Sequence, residues 1–314
     1  MSAHAMDVCQ QLTEAFGDRV RRDAPLAPLT TFKVGGAADW LVDVKSEAEL
    51  RRALEIASGG GQRVTILGGG SNVLVSDAGV RGLVLRVKPM ETVQTALDRA
   101  RADAGLTING LVRWTISHGL AGLEAWAGTP GTVGGAIYGN AHFGGRNIGD
   151  LVAAVRVITP QGEAQTIPAS EMEFAYDTSR LQRTREILLW AEFIVGEGDP
   201  SALRLVARDS LAHRKRTQPL DTPSAGCIFQ NPDPARDAVP EGIPLSAGAL
   251  VDRAGLKGSR KGGAKVSDTH GNFIVNEGGA TAADIRELVE RCKRAVRDRF
   301  GVALREEIVY LGEF

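Results

Sequence analysis

The sequence predicts an α+β fold built from more than one compact segment. The first observation is that short β-branched runs alternate with helix patterns up to about residue 87. The second is a hairpin pattern at 152–167, where two apolar runs flank the turn Pro160-Gln161-Gly162. The third is an apolar face that recurs at three- and four-residue steps from Ile285 to Phe300, which is typical of a long amphipathic helix.

The other elements follow from the same patterns in chain order. A short leading helix with a polar tail is expected within residues 1–24. Ser46-x-x-Glu49 is a capping box, and it predicts a helix that ends near Ser58. The remaining predicted elements are strands at 39–44, 63–67, 73–75, 83–85, 187–195 and 307–311, and helices at 106–118 and 203–216.

Composition and charge limit the class of protein. The chain has 314 residues and a formal net charge of −1, which disfavours a nucleic-acid partner. No apolar run approaches the length of a membrane span, and the N-terminus lacks a secretory pattern. Cys9, Cys227 and Cys292 lie far apart and have no zinc-like spacing. We expect a cytoplasmic protein with reduced thiols and no metal site, and a monomer.

The stretch Val64–Asp77, V-T-I-L-G-G-G-S-N-V-L-V-S-D, is the most informative part of the chain. A β-branched run leads into three consecutive glycines and then a second apolar run, which predicts strand, tight loop and strand. Glycines let successive backbone N–H groups approach a phosphate closely. The loop has neither the Lys-Ser/Thr ending of a P-loop nor G-x-G-x-x-G spacing. The alternative is a glycine-rich hairpin without a ligand.

A second glycine-rich segment, Gly128–Ala136, reads G-T-P-G-T-V-G-G-A and is followed by Asn140. Four glycines and a proline in so short a run predict an irregular loop, neither helix nor regular strand, with many accessible N–H groups. Two separate glycine loops indicate a long ligand with phosphates in its middle. The alternative is an irregular loop with no ligand.

Together with other segments, these loops resemble one family, the UDP-N-acetylenolpyruvoylglucosamine reductases, over about residues 25–312. The resemblance is carried by Leu29-Thr30-Thr31-Phe32-Lys33-Val34-Gly35-Gly36, Ile66 to Leu74, Gly122-Leu123-Glu124, Gly128 to Asn140, Tyr176-x-x-Ser179, Ser224 to Pro232, Leu256 to Gly263, and Arg305-Glu306-Glu307-Ile308. Any one of these segments is a weak signal, but their order and joint presence are highly specific.

The resemblance implies a vanillyl-alcohol-oxidase-like (PCMH-type) FAD-binding fold. Segments 1–87 and 88–200 would be its two subdomains, with 303–314 returning to the first, and 201–302 would be an α/β substrate domain. FAD would be non-covalent. The residues implied to bind it are Ile66, Leu67, Gly68, Gly69, Gly70, Ser71, Asn72, Val73, Gly128, Thr129, Pro130, Gly131, Thr132, Gly134, Gly135, Asn140 and Ile148.

The reaction implied by the resemblance is reduction of the enolpyruvyl ether of UDP-N-acetylglucosamine to the lactyl ether, with NADPH as the source of electrons. Hydride would go to the β-carbon and a proton to the α-carbon, so the site needs a positioned acid and a group that stabilises an enolate.

Two residues match these catalytic roles. Cys227 stands where most members have the serine that donates the proton, and the alternative is an ordinary buried thiol. Glu307 matches a glutamate that assists the enolate. Its neighbour Glu306 is the alternative, because adjacent residues of a strand point to opposite faces.

The arginine of the family motif Tyr-Arg-x-Ser is missing, since this chain reads Tyr176-Asp177-Thr178-Ser179-Arg180. If the segment forms a helical turn, residues three apart share a face, and Arg180 could supply the cation. The alternative is that Arg180 simply pairs with Asp177. Arg214 and Lys265 are the next candidates for the cation.

The resemblance also implies substrate-binding residues, which are Tyr176, Arg214, Gln230, Asn231, Lys265 and His270. Only about 50 residues separate Tyr176 from Cys227, which indicates the subclass without an extra tyrosine loop. Two other functions remain open at this point. One is a different FAD oxidoreductase of the same fold, such as a sugar-lactone or alcohol oxidase. The other is a non-catalytic protein that binds FAD or a UDP-sugar.

Overall fold

The structure is a computed structural model that describes residues 7–88 and 91–314. Its α-helices over these residues are α1 Val8–Phe16, α2 Glu47–Gly59, α3 Ile108–Ser117, α4 Val133–Tyr138, α5 Arg180–Thr184, α6 Pro200–Thr217, α7 Ala247–Arg253 and α8 Ala282–Phe300. Its strands are β1 Val20–Pro25, β2 Ala37–Val44, β3 Val64–Ile66, β4 Val73–Val75, β5 Val80–Val87, β6 Thr92–Ala96, β7 Arg99–Asp103, β8 Leu120–Ala121, β9 His142–Phe143, β10 Arg146–Asn147, β11 Val152–Ile158, β12 Ala164–Pro168, β13 Ile187–Ile194, β14 Gly196–Glu197, β15 Arg260–Lys261, β16 Ala264–Val266, β17 Ile274–Asn276 and β18 Val309–Leu311.

The chain divides into two compact units, and the first comprises the residues up to Ala24, Ala38–Gly69 and Arg81–Leu211. It contains a four-stranded sheet of order β1-β2-β5-β3 and a five-stranded sheet of order β12-β11-β13-β7-β6. One apolar core joins α1 and α2 to the inner face of the first sheet. A second core packs α3 and α4 against the five-stranded sheet, and it includes the fully buried side chain of Trp126.

The second unit comprises Pro25–Ala37, Gly70–Val80 and Ala212–Phe314. Its apolar core gathers α7, α8 and the three-stranded sheet β15-β16-β17. The last strand, β18, pairs in parallel with β4, so that Val309 lies opposite Val73. Helix α8 begins at a capping box of Thr281 and Asp284, and the carboxylate of Asp77 also accepts hydrogen bonds from its first N–H groups.

Most of the predicted elements are confirmed. The hairpin β11–β12, the long helix α8 and the helix that Ser46 caps are present at the expected positions. Strand β1 was not predicted, because its charged residues hide the strand pattern. The prediction that residues 128–136 contain no helix is wrong, since α4 begins at Val133. Thr132 caps this helix and accepts a hydrogen bond from the N–H of Gly135.

Candidate active site

The two glycine segments singled out in the sequence are neighbours in the first unit. A Cβ atom on Gly68 would lie 2.7 Å from Thr132 Oγ1, and one on Gly69 would lie 2.6 Å from the Cα of Gly131. Both separations are too short for real carbon atoms. Glycine at positions 68 and 69 is therefore what allows the first loop to lie directly on the second.

Gly70 follows in the same loop and belongs to the second unit. It adopts a φ of +64°, and a Cβ atom there would collide with the carbonyl of Leu29. Its own carbonyl oxygen accepts hydrogen bonds from the N–H of Thr31 at 2.9 Å and from Thr31 Oγ1 at 3.2 Å. The segment Leu29-Thr30-Thr31 thus holds the loop in its bent conformation.

The first loop offers backbone donors to a ligand. Over the described parts of the chain, the N–H groups of residues 68–71 donate to no protein acceptor. Consecutive unsatisfied N–H groups in a turn suit a phosphate or pyrophosphate. This loop therefore fits a pyrophosphate-bearing cofactor such as FAD.

The second segment offers fewer donors than the sequence predicted. The N–H of Gly128 donates to Asn109 Oδ1 at 2.7 Å, and that of Gly134 donates to the carbonyl of Ala104 at 2.8 Å. The N–H of Gly135 is bound by Thr132 Oγ1 at 3.3 Å. The expectation of many accessible N–H groups here is wrong, because several of these N–H groups donate to protein acceptors around the start of α4. The glycines of this segment act mainly by permitting close packing.

The C-terminal end of the chain lies beside the first glycine loop. Asn72 Nδ2 donates to the carbonyl oxygen of Glu307 at 3.1 Å, and the N–H of Val309 donates to the carbonyl of Asn72 at 2.9 Å. These bonds continue the parallel pairing of β18 with β4. Glu307 is therefore held next to the loop although it is distant in sequence.

Glu307 also lies opposite the segment that contains Cys227. The N–H of Glu307 donates to the carbonyl of Ile228 at 2.8 Å. Its neighbour Glu306 is held by Lys293, whose Nζ lies 2.7 Å from Glu306 Oε1. The carboxylate of Glu306 is thus engaged by Lys293, and Glu307 stays the predicted carboxylate of the site.

Asn272 fixes the segment that follows Cys227. This side chain is 2% exposed, and its amide accepts a hydrogen bond from the N–H of Phe229 and donates one to the carbonyl of Phe229, at 2.8 and 2.7 Å. The N–H of Ile228 donates to the carbonyl of Asn272 at 2.8 Å. The backbone next to Cys227 is thus rigidly positioned.

Arg214, near the C-terminal end of α6, is buried and interacts electrostatically with Cys227. Burial lowers the pKa of its guanidinium to about 10, and the neighbouring thiol of Cys227 opposes this shift. Arg214 therefore stays cationic at neutral pH. A buried cation of this kind attracts negative charge that develops beside it, on a protein group or on a bound ligand.

Tyr176 and Asp177 form the tip of a tight turn in the first unit. The backbone groups of Ala175 and Thr178 exchange two hydrogen bonds of 3.2 Å, and Asp177 has a φ of +55°. The carboxylate of Asp177 lies 3.0 Å from Nδ1 of His142, and the His142 ring packs on Tyr176 at 4.9 Å between centroids. Asp177, at the position of the family arginine, thus pairs with a histidine that the sequence analysis did not single out.

Arg180 is held by a carboxylate of the protein itself. Its Nε and Nη2 donate to the two oxygens of Glu186 at 2.9 and 3.0 Å. Arg180 is the first residue of α5, so residues 177–180 do not form the helical turn assumed from the sequence. The alternative pairing of Arg180 with Asp177 is not what the structure shows either. The predicted role of Arg180 in binding a substrate gains no support from this geometry.

Several other predicted substrate-binding residues also contact protein groups. Lys265 Nζ lies 3.3 Å from Glu277 Oε1 and also pairs with Asp268. His270 Nδ1 accepts a hydrogen bond from the N–H of Asn272 at 3.2 Å, while burial and nearby Lys257 lower the pKa of His270. Asn231 Oδ1 accepts one from the N–H of Ala247 at the start of α7. Gln230 pairs through its backbone with Arg305.

Sequence reasoning missed Asn109 and His142. Asn109 binds Gly128 in the second glycine segment, and its Nδ2 also donates to the carbonyl of Thr129 at 3.3 Å. A signal existed only for Asn109, a polar residue in the first turn of a helix that precedes a glycine-rich run. Nothing in the sequence pattern links His142 to Asp177.

Within residues 7–88 and 91–314, no group of histidine, cysteine and acidic side chains could hold a metal ion. No helix in the same residues is long and apolar enough to cross a bilayer.

Two protein-family models match the chain. Residues 38–168 match an FAD binding domain, and residues 218–311 match the C-terminal domain of UDP-N-acetylenolpyruvoylglucosamine reductase. The predicted α+β fold with an FAD-binding domain is thereby confirmed.

Similar proteins match over nearly their full length. Reductases of the same name from Bacillus cereus and Desulfosudis oleivorans are 38% and 39% identical, covering 96% and 97% of this chain and 98% of each relative. The crystal structure of UDP-N-acetylenolpyruvylglucosamine reductase from Thermus caldophilus is similar with a TM-score of 0.77 and 34% identity. It covers 93% of this chain and 99% of its own.

Proposed function

The chain belongs to the family of UDP-N-acetylenolpyruvoylglucosamine reductases, which are FAD-binding enzymes, and we propose that it reduces the enolpyruvyl ether of UDP-N-acetylglucosamine to UDP-N-acetylmuramate with NADPH. The observation that carries the proposal is that three segments of the second unit lie side by side, namely those of Asn72, Cys227 and Glu307. The glycine loop, through Asn72, and the segment of Cys227 both bind the backbone of Glu307.

FAD fits the first glycine loop because residues 68–71 present N–H groups that no protein acceptor in the described chain uses. Asn72 and Val73 would continue this contact, and the second segment, with Asn140 and Ile148, would line the rest of the cofactor. When bound, FAD would supply the hydride that adds to the β-carbon of the enolpyruvyl group. The binding is proposed to be non-covalent.

Cys227 would deliver the proton to the α-carbon of the substrate. Its thiol lies in a segment fixed by Asn272, and Arg214 interacts with it. A positioned acid is worth roughly 10²–10⁴-fold in rate. Glu307 would assist the developing enolate. Arg214 would place a positive charge beside the thiol of Cys227 and would bind an anionic part of the substrate.

Five further residues would contribute to the substrate site, either by contacting the substrate or by positioning residues that do. They are Tyr176, Gln230, Asn231, Lys265 and His270. The protein would act in the cytoplasm on small molecules, as a monomer and without nucleic acid.

A steady-state assay tests the proposed function. NADPH oxidation is followed with the enolpyruvyl substrate, and the product is examined by mass spectrometry for the gain of two hydrogens. UDP-N-acetylglucosamine, which lacks the enolpyruvyl group, is the matched control. NADPH oxidation that does not depend on the enolpyruvyl substrate would overturn the proposal.

A further inference from the structure

The carboxylate of Glu306, the residue before Glu307, is bound by side chains from two elements of the second unit. Lys293 Nζ of α8 donates to Glu306 Oε1 at 2.7 Å, and the phenol of Tyr310 in β18 forms a further hydrogen bond with the same carboxylate. The side chain of Glu306 is 21% exposed. Glu306 therefore ties the last segment of the chain to α8.

Both donors keep their protons at neutral pH. The hydrogen bond to Glu306 is the main cause that raises the pKa of the Lys293 ammonium, so Lys293 stays cationic. Burial, and then the negative charge of Glu306, raise the pKa of the Tyr310 phenol. Hydrogen bonds to an ionised group are stronger than those between neutral groups. The two contacts therefore hold the Glu306 side chain firmly.

The segment 305–307 pairs in antiparallel direction with the segment 228–230, which follows Cys227. Glu306 lies opposite Phe229, and two backbone hydrogen bonds of 2.8 and 2.9 Å flank this bridge. Directly opposite residues of such a pair share a face, and the next residue of each chain points to the other face. The register therefore predicts that the side chain of Glu307 lies on the face opposite that of Glu306.

The backbone of Glu307 is bound at both of its polar groups. Its N–H donates to the carbonyl of Ile228, and its carbonyl accepts from Asn72 Nδ2. These bonds fix where the residue lies, but they still allow the segment to rotate slightly about its own axis. Such a rotation would redirect the Glu307 side chain. The contact of Glu306 with Lys293 opposes it, because α8 packs in the apolar core of the second unit.

We propose that Glu306, anchored by Lys293 and Tyr310, is a positioning residue that sets the direction of the Glu307 carboxylate. The inference rests on the proposed function and adds residues to it. Glu306 itself would not contact the substrate. Glu307 would act on charge that develops only in the transition state. An error in its direction should therefore slow the chemical step and leave substrate binding nearly unchanged.

Anaerobic rapid mixing of the FAD-loaded protein tests the inference, with each rate expressed per bound flavin. NADPH first reduces the flavin, and the enolpyruvyl substrate then reoxidises it. In Glu306→Ala the maximal rate of reoxidation should fall roughly 10- to 100-fold, as expected for a misdirected catalytic group. The rate of reduction by NADPH and the substrate concentration at half-maximal reoxidation should stay near those of the parent.

Two further variants separate positioning from a general loss of structure. Glu306→Gln should keep most of the parent reoxidation rate, because its amide oxygen can still accept hydrogen bonds from Lys293 and Tyr310. Lys293→Met should slow reoxidation by a smaller factor than Glu306→Ala does, since Tyr310 still binds Glu306. Combining Lys293→Met with Glu306→Ala should slow it no more than Glu306→Ala alone, because both changes remove the same contact.

Glu290→Gln is the matched control. Glu290 is the other carboxylate bound to Lys293, at 3.0 Å, and it lies three residues before Lys293 in α8. This variant removes a charge from the same lysine but leaves the contact of Lys293 with Glu306 in place. It should reoxidise its flavin at the parent rate.

The inference is overturned if Glu306→Ala reoxidises its flavin at the parent rate, or if it slows reduction by NADPH to the same extent. It is also overturned if only the half-saturating substrate concentration changes, since Glu306 would then act in substrate binding. The proposed function is tested separately by the parent protein. A parent flavin that the enolpyruvyl substrate does not reoxidise contradicts the function, and the inference with it.

Discussion

The side-chain amide of Asn72 donates a hydrogen bond of 3.1 Å to the backbone carbonyl of Glu307, a residue 235 positions later in the chain. The first of these residues ends the glycine loop, and the second precedes the last strand. The strands that follow these two residues, β4 and β18, pair in parallel and so connect the same two segments a second time. The C-terminal segment therefore pairs with the strand that follows the glycine loop, and we expect its truncation to alter the loop.

Gly69→Ala should lower the affinity for FAD. A Cβ at this position would lie 2.6 Å from the Cα of Gly131, so the two glycine segments must move apart. Overpacking of this kind costs roughly 1–3 kcal/mol. The measurement is flavin content after gel filtration together with titration of the apoprotein with FAD.

Gly59→Ala is the control for that experiment, because a Cβ at Gly59 meets nothing within 4 Å. It should keep the parent flavin content. Acid precipitation of the parent should release all yellow colour from the protein, as expected for non-covalent FAD. Retention of colour by the precipitate would instead favour an oxidase with a covalent flavin.

Cys227→Ala should permit reduction of the flavin by NADPH but slow its reoxidation by substrate roughly 10²–10⁴-fold, since the positioned acid is lost. Cys227→Ser should retain useful activity, because a hydroxyl at this position can also donate a proton. Cys9→Ala is the control, because Cys9 lies in α1, far from Cys227 in the sequence. Rapid-mixing absorbance separates the two half-reactions. An alanine variant with the parent reoxidation rate would eliminate Cys227 as the donor.

Arg214→Met should make the thiol of Cys227 less reactive at neutral pH. The buried guanidinium interacts electrostatically with this thiol, and removing the cation disfavours the thiolate. The rate of alkylation by iodoacetamide, measured against pH and located by peptide mass spectrometry, should therefore reach its midpoint at a higher pH. An unchanged midpoint in a folded variant would show that Arg214 does not act on Cys227.

Regular elements with a clear period could be predicted from the sequence. Helix α8 has apolar residues at helical spacing and a capping box, and both its type and its position follow from them. Helix α4 could not be predicted, because its composition is unfavourable for a helix. Contacts from Thr132 and from the carbonyls of Ala104 and Leu106 stabilise it in spite of this.

The pairing of charged side chains was the least predictable part of the site. Arg180 and Glu186 are close in sequence, but their contact depends on the short helix α5 and on the buried position of Glu186. His142 and Asp177 meet near Asn140, whose side chain binds Ala175 and Gly149, and no pattern in the sequence indicates this contact. The division into segments 1–87, 88–200 and 201–302 stays a prediction, since compact units need not coincide with ligand-binding domains.

Glu186→Gln should lower the free energy of unfolding at neutral pH by roughly 1–3 kcal/mol, the worth of hydrogen bonds to a charged group. Burial raises the pKa of Glu186, but hydrogen bonds from Arg180 and Thr184 outweigh this and hold it below its usual range. The contribution is therefore present above the unfolded pKa of about 4.3 and is lost as the pH falls through the lower folded pKa.

Urea unfolding at neutral pH and below about pH 4 measures this difference. Glu55→Gln, which removes an exposed ion pair with Arg52, is the control and should change stability by less than about 1 kcal/mol. A penalty for Glu186→Gln that is the same at both pH values would contradict the role of its charge.

Arg180→Ala should likewise lower stability while leaving the KM for the enolpyruvyl substrate near that of the parent. The reason is that its guanidinium is bound by Glu186. Steady-state kinetics on the folded variant make the comparison. A variant of parent stability with a strongly raised KM would return Arg180 to the substrate site, as the sequence alone predicted.

The most direct test of the account is an anaerobic rapid-mixing experiment on the FAD-loaded protein. NADPH should bleach the visible absorbance of the oxidised flavin, and the enolpyruvyl substrate, added second, should restore it with formation of UDP-N-acetylmuramate. UDP-N-acetylglucosamine should not restore it. A flavin that NADPH fails to reduce, or that the enolpyruvyl substrate fails to reoxidise, would contradict the account.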